Sequence, residues 1–291
     1  MNLGITGATG FIGRHLIDIA LRRGHEVIAF TRNPNAQIPG CEMRSFRLDQ
    51  PPDITHCQAL IHLAGESVVG LWTPSKRRRI VESRVEGTRR VVQAINAATQ
   101  PPEVFVSGSA IGYYGDGGDK ELEETAPAGT GFLPQTCQAW EAEALHAERT
   151  RIVLMRTAVV LGKESGALKA MLPAFSLGLG GQISNGTQWM SWIHIEDMAR
   201  LILFAVENLD IHGPLNASAP WPVRNSEFTA TLARTLHRPA WFRVPAFALR
   251  ALGEFSHELL DSKRVVPAAA TSHQFGFQFP ELAPALKNLL T

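Results

Sequence analysis

Tyrosine and cysteine are scarce in this chain of 291 residues, with two and three copies respectively, and each scarcity excludes something. The three thiols, Cys41, Cys57 and Cys137, cannot build a disulfide framework, and their spacing matches no zinc motif. No metal site is expected, and a reducing compartment, the cytoplasm, is the simplest expectation. Neither sign of charge prevails: 28 lysines and arginines meet 27 carboxylates, for a net charge of +1. Such balance makes no electrostatic case for nucleic acid or a membrane surface as partner. No apolar run approaches the ~20 residues of a membrane span. The N-terminus enters a strand pattern without a basic leader and apolar h-region, so no signal peptide is expected. Internal repeats and low-complexity tracts are lacking too. What remains, 45% hydrophobic and 19% charged, suits a globular protein with one large or two unequal domains.

Residues 3 to 13 read Leu-Gly-Ile-Thr-Gly-Ala-Thr-Gly-Phe-Ile-Gly. Gly7, Gly10 and Gly13 recur every three residues. Before them Asn2 to Thr6 read as a strand; after them Phe11, Ile12, Leu16, Ile17 and Ala20 fall at helical spacing. A turn free of Cβ atoms lets backbone amides approach a pyrophosphate. The helix N-terminus behind it offers unpaired N–H groups and a favourable dipole to an anion. A nucleotide cofactor is the expectation, and a plain strand–helix turn the alternative. The next strand, His25 to Thr31, runs into Thr31-Arg32-Asn33-Pro34. An acidic residue at this strand end selects NAD through the ribose 2′-hydroxyl, whereas an arginine receives the 2′-phosphate of NADP. No carboxylate stands there, since Glu26 lies at the start of the strand. Arg32 is therefore expected to pair with the 2′-phosphate, against the alternative of a solvated loop arginine.

Strand and helix patterns alternate through the first half, which predicts an α/β fold with a doubly wound parallel sheet. Ala59 to Ala64 read as a buried strand ending in His62-Leu63-Ala64-Gly65-Glu66, and Val104 to Ser107 as another after Pro101-Pro102. Arg151 to Arg156 read as the sixth. A long helix is predicted from about Ser75 to Ala98, with Thr73 as N-cap and Pro74 at the first helical position. Further helices are predicted over Leu133 to Arg149, His194 to Leu209 and Asn225 to Leu236, the last capped by Asn225. Gly178, Gly180, Gly181 and Gly186 mark loops, and Pro245 to Thr291 mix short apolar helices with prolines. The expected division is a cofactor domain over 1–160, with elements up to about 210 able to belong to it. A smaller substrate-side α/β lobe over 161–291 includes a small C-terminal domain from about 240. Lys76-Arg77-Arg78-Arg79 opens a helix, where cations are disfavoured, and reads as a solvated face.

These residues resemble the extended short-chain dehydrogenase/reductase superfamily. Thr6-Gly7-x-x-Gly10-x-x-Gly13 matches its cofactor turn, and His62-Leu63-Ala64-Gly65 is similar to the segment after its fourth strand, on the nicotinamide side. Val85-x-Gly87-Thr88 is similar to its mid-helix signature, and Ser107-Gly108-Ser109 with Tyr114-Gly115 to its catalytic-serine strand. Trp192-Ile193-His194-Ile195-Glu196-Asp197 resembles its second-lobe helix entry. Gly65-Glu66-Ser67, the run from Ser107 to Gly115 and Leu177-Gly178-Leu179-Gly180-Gly181 narrow the resemblance to the bacterial "epimerase family" of the YfcH type, with its small C-terminal domain. Some members carry a cell-division-inhibitor label, SulA. The resemblance covers essentially the whole chain. It implies a Rossmann fold, NADP(H) as cofactor and, as in many extended members, pairing of two copies through long helices. The helix with Val81, Val85, Val91, Val92 and Ile95 suits that role, or packing on the sheet. Together with the glycine turn, the resemblance makes Thr6, Gly7, Thr9, Gly10, Phe11, Ile12, Gly13, Thr31, Arg32, Leu63, Ala64, Gly65, Glu66, Ser107 and Glu141 the candidate cofactor contacts.

The superfamily works with Ser, Tyr and Lys, the last two as Tyr-x-x-x-Lys. Its serine and tyrosine hold a substrate oxygen, and its lysine lowers the phenol's pKa and binds the nicotinamide ribose. Here Tyr113 and Tyr114 are followed four residues later by Gly117 and Gly118, so the motif is absent from the chain. On the helix that should carry the pair, Cys137 and Glu141 hold the spacing. A phenol starts near pKa ~10 and needs a cation to act near neutrality, and a carboxylate shifts it the wrong way. Glu141 can still accept from ribose hydroxyls. Cys137 is either inert packing or a proton carrier. Ser109, Tyr113 and Tyr114 remain as catalytic candidates, with Arg84 (where the superfamily shows asparagine) or a lysine as the helping cation. Ordinary strand-end and loop packing is the competing account. His194 reads as a structural hydrogen-bonder. Trp72, Trp189 and Trp192 either line an apolar pocket or pack a core, and nothing singles out Gln188 or Arg224. Two functions follow. One is an NADP-dependent oxidoreductase or sugar-nucleotide-epimerase-like enzyme acting on a small carbonyl or hydroxyl substrate. The other is a non-catalytic NADP(H)-binding regulator or redox sensor.

Overall fold

Seven parallel strands make the central sheet: β1 (Asn2–Thr6), β2 (Glu26–Thr31), β3 (Cys41–Ser45), β4 (Ala59–His62), β5 (Val104–Ala110), β6 (Arg151–Thr157) and β7 (Gly213–Ala217). Their order, β7-β6-β5-β4-β1-β2-β3, reverses between β4 and β1, so the sheet is doubly wound. The computed structural model describes every residue except Pro34 and Leu252, so the last member of Thr31-Arg32-Asn33-Pro34 lies outside the described residues. The inner strands are continuous apolar runs because helices cover both faces. Helices α1 (Phe11–Arg22) and α5 (Ile195–Glu207) cover one face, packing Leu16, Ile17, Met198, Leu201 and Ile202 against Leu3 and Ile5. Helices α2 (Pro74–Ala97) and α3 (Phe132–Ala144) cover the other, where Val91, Val92 and Ile95 join Phe30, Leu60 and Phe105. Val91, Val92 and Ile95 therefore belong to the core, while Val81 and Val85 stay half-buried. A separate core joins α4 (Gly166–Ser176), α6 (Asn225–Thr235) and α7 (Leu282–Leu290) around Trp192, Phe175, Phe228 and Leu286.

The edge strands β3 and β7 carry no clear sequence signal. Cys-Glu-Met-Arg-Ser is half-exposed, and Gly-Pro-Leu-Asn-Ala contains three residues that weaken strand propensity, Gly213, Pro214 and Asn216. Two predicted helix ends move. Helix α3 stops at Ala144 rather than running to Arg149, which sits in the left-handed region at φ 57° just before β6. Asn225 does not cap α6; Arg224 holds that position, and the Asn225 side-chain Oδ1 accepts from Ile183 N at 2.7 Å. Thr73 caps α2 as expected, accepting from Lys76 N at 3.2 Å. Among the described residues, no helix is long and apolar enough to cross a membrane.

Candidate active site and cofactor cleft

The glycine turn follows β1 at the point where the strand order reverses. Gly7 has φ +71°, and a Cβ there would stand 2.8 Å from the Leu63 carbonyl carbon. At Gly13 a Cβ would lie 2.3 Å from the Gly7 carbonyl oxygen, so only glycine lets α1 start this close to the turn. A cleft of about 320 Å³ opens beside it. Gly7, Thr9 and Gly10 line it from the first turn, Thr31, Arg32 and Asn33 from the end of β2, and Leu63, Ala64, Gly65 and Glu66 from the end of β4. Crevices at the C-terminal ends of strands beside a switch point are where doubly wound sheets take ligands. The Cβ-free cradle fits the pyrophosphate of a dinucleotide, with a helix N-terminus behind it. Among the described residues Glu66 is the only carboxylate of this lining, and Lys76 Nζ holds it at 2.8 Å. Arg32 is exposed on the rim.

The remaining cofactor candidates lie outside this lining. Thr6 is buried and its Oγ1 meets His62 Nδ1 at 2.6 Å and Ala64 N at 3.3 Å, tying the first turn to the third. Phe11 packs its ring where a Gly162 Cβ would lie 2.3 Å away, and Ile12 packs against the sheet core. Gly13 and Ser107 are buried, and Glu141 is drawn into a different assembly.

That assembly sits where β5, β6 and α3 meet. Ser109, at the C-terminal end of β5, donates to Glu141 Oε1 at 2.6 Å. Arg156, from β6, grips the same carboxylate with Nε to Oε1 at 2.8 Å and Nη2 to Oε2 at 2.9 Å. Its Nη1 donates to the Tyr114 hydroxyl at 3.0 Å, and that hydroxyl donates to Asn216 Oδ1 at 2.7 Å. The guanidinium also lies 3.6 Å from the centroid of the Tyr113 ring. Ser109, Tyr114, Glu141, Arg156 and Asn216 are all buried. A buried charge requires a partner, and here the bidentate pair supplies one. Ionised carboxylates only accept, so the Ser109 proton is held toward Glu141 and its lone pairs face elsewhere.

The same geometry sorts the other candidates. Burial pushes the Cys137 thiol up to about 12, the condition of an inert packing cysteine rather than a proton carrier. Burial also raises the Tyr114 phenol, so its hydroxyl acts as a structural link. Arg84 donates to Glu66 O at 3.0 Å and Ile80 O at 3.2 Å and lies 5.1 Å from the Trp140 ring; the cation beside the tyrosines is Arg156 instead. Three members of the basic run at the start of α2 are ion-paired, Lys76 and, at 3.6 Å, Arg79 with Glu66, and Arg77 with Glu254 at 2.9 Å, which departs from the solvated-face expectation. His194 caps α5 by accepting from Glu196 N at 3.0 Å. Trp192 is core, and Trp189 donates to Asp119 at 3.1 Å. Trp72 lines a second cavity of about 300 Å³, whose wall includes Gly112 from the turn that follows Ser109.

Arg156 and Asn216 were not reachable as site residues by motif. Arg156 had a signal: a lone cation after Ile152-Val153-Leu154-Met155 demands a buried carboxylate nearby. Asn216 had none, because its role depends on β7 joining the sheet.

Residues 3–216 match the NAD dependent epimerase/dehydratase family, and residues 244–289 match a domain of unknown function, DUF1731. The chain is 38% identical over 298 residues to the epimerase family protein YfhF of Bacillus subtilis, covering 100% of this chain and 98% of the relative. It is 33% identical to the human epimerase family protein SDR39U1 in a crystal structure with NADPH, with a TM-score of 0.94 over 99% of both chains. A crystal structure described as a nucleoside-diphosphate sugar epimerase from Corynebacterium glutamicum is 31% identical, with a TM-score of 0.81 over 100% of this chain and 58% of that one. The cradle at Gly7 and Gly13, the reversed sheet and these matches agree: the chain belongs to the NAD dependent epimerase/dehydratase family, within its atypical SDR39U1-type group.

Proposed function

We propose that this protein is an NADP(H)-dependent oxidoreductase or epimerase-like enzyme acting on a small carbonyl or hydroxyl compound. The observation that carries the reading is the pair of cavities: the glycine-cradled cleft, and the second cavity walled by the turn after Ser109. NADP is preferred over NAD because Arg32 stands at the end of β2 where no carboxylate does. NADPH in the human relative supports the same choice. When bound, the nicotinamide supplies or takes up a hydride. Gly7 to Gly13 hold the pyrophosphate, Arg32 holds the 2′-phosphate, and Ser109 holds the substrate oxygen. Tyr113 moves the proton, since the Tyr114 hydroxyl is engaged by Asn216 and Arg156.

A second reading, a non-catalytic NADP(H)-binding regulator, is favoured by the Glu141–Arg156 pair, which occupies ground that the superfamily gives to its reactive lysine. Calorimetric titration with NADPH, NADP⁺ and NADH separates the two. Comparable affinity for both NADP forms with weak NADH binding supports the enzyme. Strong preference for one redox state supports the regulator, because sensing requires differential affinity. No binding by any of them refutes both. Once a substrate is found, Ser109→Ala is expected to abolish turnover and spare NADPH binding.

A further inference from the structure

The stretch from Trp241 to Arg250 is largely apolar and yet buries no residue. Trp241, Phe242, Val244 and Phe247 are all exposed, Trp241 by 86% and Phe247 by 77%. The short strand Phe242–Val244 pairs with Gly181–Ile183 in a two-stranded ribbon and is exposed at each residue, so it projects from the body instead of lying on a core. The helix that follows, Ala246–Arg250, has no buried residue either. Leu177 and Leu179 join this face: a Cβ on Gly178, between them, would lie 3.4 Å from the Pro239 ring, and both leucines are exposed. Apolar residues exposed singly are ordinary, but six brought together by two segments mark a contact surface.

The charge of the face narrows what it contacts. Residues 228–253 hold four arginines and no carboxylate, and residues 170–195 hold no aspartate, glutamate, lysine or arginine. The chain-wide balance of +1 averages over this asymmetry. Arg238, Arg243 and Arg250 are exposed, and among the described residues none of them is ion-paired. Arg224 and Arg264, to either side in the chain, do hold carboxylates, Asp119 at 2.8 Å and Glu121 at 3.2 Å. Unengaged guanidiniums among protruding rings and aliphatic chains complement a surface that is anionic outside and apolar beneath. A second copy of the chain does not fit, because a two-fold contact lays the arginines against one another. Nucleic acid fits poorly, because leucine and valine offer bases no stacking face. An acidic protein would have to bring a groove shaped to these rings, whereas a bilayer accepts any protruding apolar shape.

We propose that this face binds the surface of an anionic phospholipid bilayer. Trp241 and Phe247 enter the headgroup region, and Arg238, Arg243 and Arg250 meet lipid phosphates. The binding is peripheral and independent of the cofactor and substrate readings above.

The test is flotation of the whole chain with vesicles of phosphatidylglycerol and phosphatidylcholine in equal parts, beside vesicles of phosphatidylcholine alone, in about 0.1 M salt. The protein is expected to float with the anionic vesicles and to partition at least about tenfold less onto the neutral ones. Arg243→Gln is expected to lower partitioning onto the anionic vesicles about fivefold. Trp241→Ser combined with Phe247→Ser is expected to lower it about tenfold or more. All three side chains are exposed, so an unchanged melting temperature shows that each variant is folded. Failure to float with anionic vesicles overturns the proposal and leaves the face to an acidic protein. Equal partitioning onto both kinds of vesicle, or partitioning that the variants do not reduce, overturns it as well.

Discussion

The cofactor cleft and the interior behind Ser109 lie on the same sheet but are built from different material. Backbone makes the cleft: a left-handed Gly7, a Cβ-free approach at Gly13 and amides at the start of α1. Side chains make the interior: a serine, a carboxylate, a guanidinium, a phenol and an amide joined by five hydrogen bonds of 2.6 to 3.0 Å. A backbone-shaped site depends on a few glycines and tolerates change around it. A site made of side chains turns into something else when two residues change. The family fold and the turn are thus present here without a Tyr-x-x-x-Lys motif, and Glu141 forms a buried ion pair with Arg156.

The sharpest way to break this contrast is to unpair the interior. Arg156→Met leaves Glu141 buried without its counter-charge and is expected to cost ~3–5 kcal/mol, read from urea denaturation. The double variant Glu141→Gln with Arg156→Met is expected to recover part of that loss. Equal losses in the single and double variants would show that the two residues are not coupled. NADPH binding should survive in whatever fraction remains folded.

A smaller effect lies at the junction of the two regions. His62 is fully buried, bonded to Thr6, and burial lowers its pKa to about 3 from the ordinary 6.5. The unfolded chain takes up a proton below pH 6.5 and the folded one does not until about pH 3. Stability from this group is therefore unchanged above pH 6.5 and falls as pH drops through that window. Between pH 7 and pH 5 the loss amounts to about 2 kcal/mol. Denaturation of His62→Gln at both pH values checks this. If the variant and the parent lose the same amount, His62 is not held neutral.

The smallest expected effect sits on the cleft rim. Arg32→Glu is expected to weaken NADPH binding about tenfold or more and to leave NADH nearly unchanged, since only the 2′-phosphate loses its partner. Equal losses for both nucleotides would remove Arg32 from the phosphate site. Melting temperature should not move, because the side chain is exposed.

Much of the cleft was legible before folding. Glycine spacing, the apolar run of β1 and the helical period of α1 are local signals, and so is the Thr73-Pro74 start of α2. Local signals failed where a residue's partner lies far along the chain. The β7 strand is recognisable only once it pairs with β6, and that pairing brings Asn216 to Tyr114. Asn225 has the chemistry of a cap, yet Ile183, 42 residues away, claims its side-chain oxygen. The start of α2 has the composition of a solvated basic face, yet Glu66 and Glu254 fold back onto it.

By itself the sequence determined the nucleotide-binding turn, the α/β alternation and the absence of the superfamily's tyrosine–lysine pair. Those are properties of residue type and spacing, which no neighbour can alter. Only the tertiary structure decided what occupies the vacated ground: whether Glu141 meets a ribose or an arginine, which tyrosine is engaged, and whether a lysine near the cavity is free. These are questions of partnership, and a charge or a hydroxyl takes its role from whatever the fold places within about 3 Å of it.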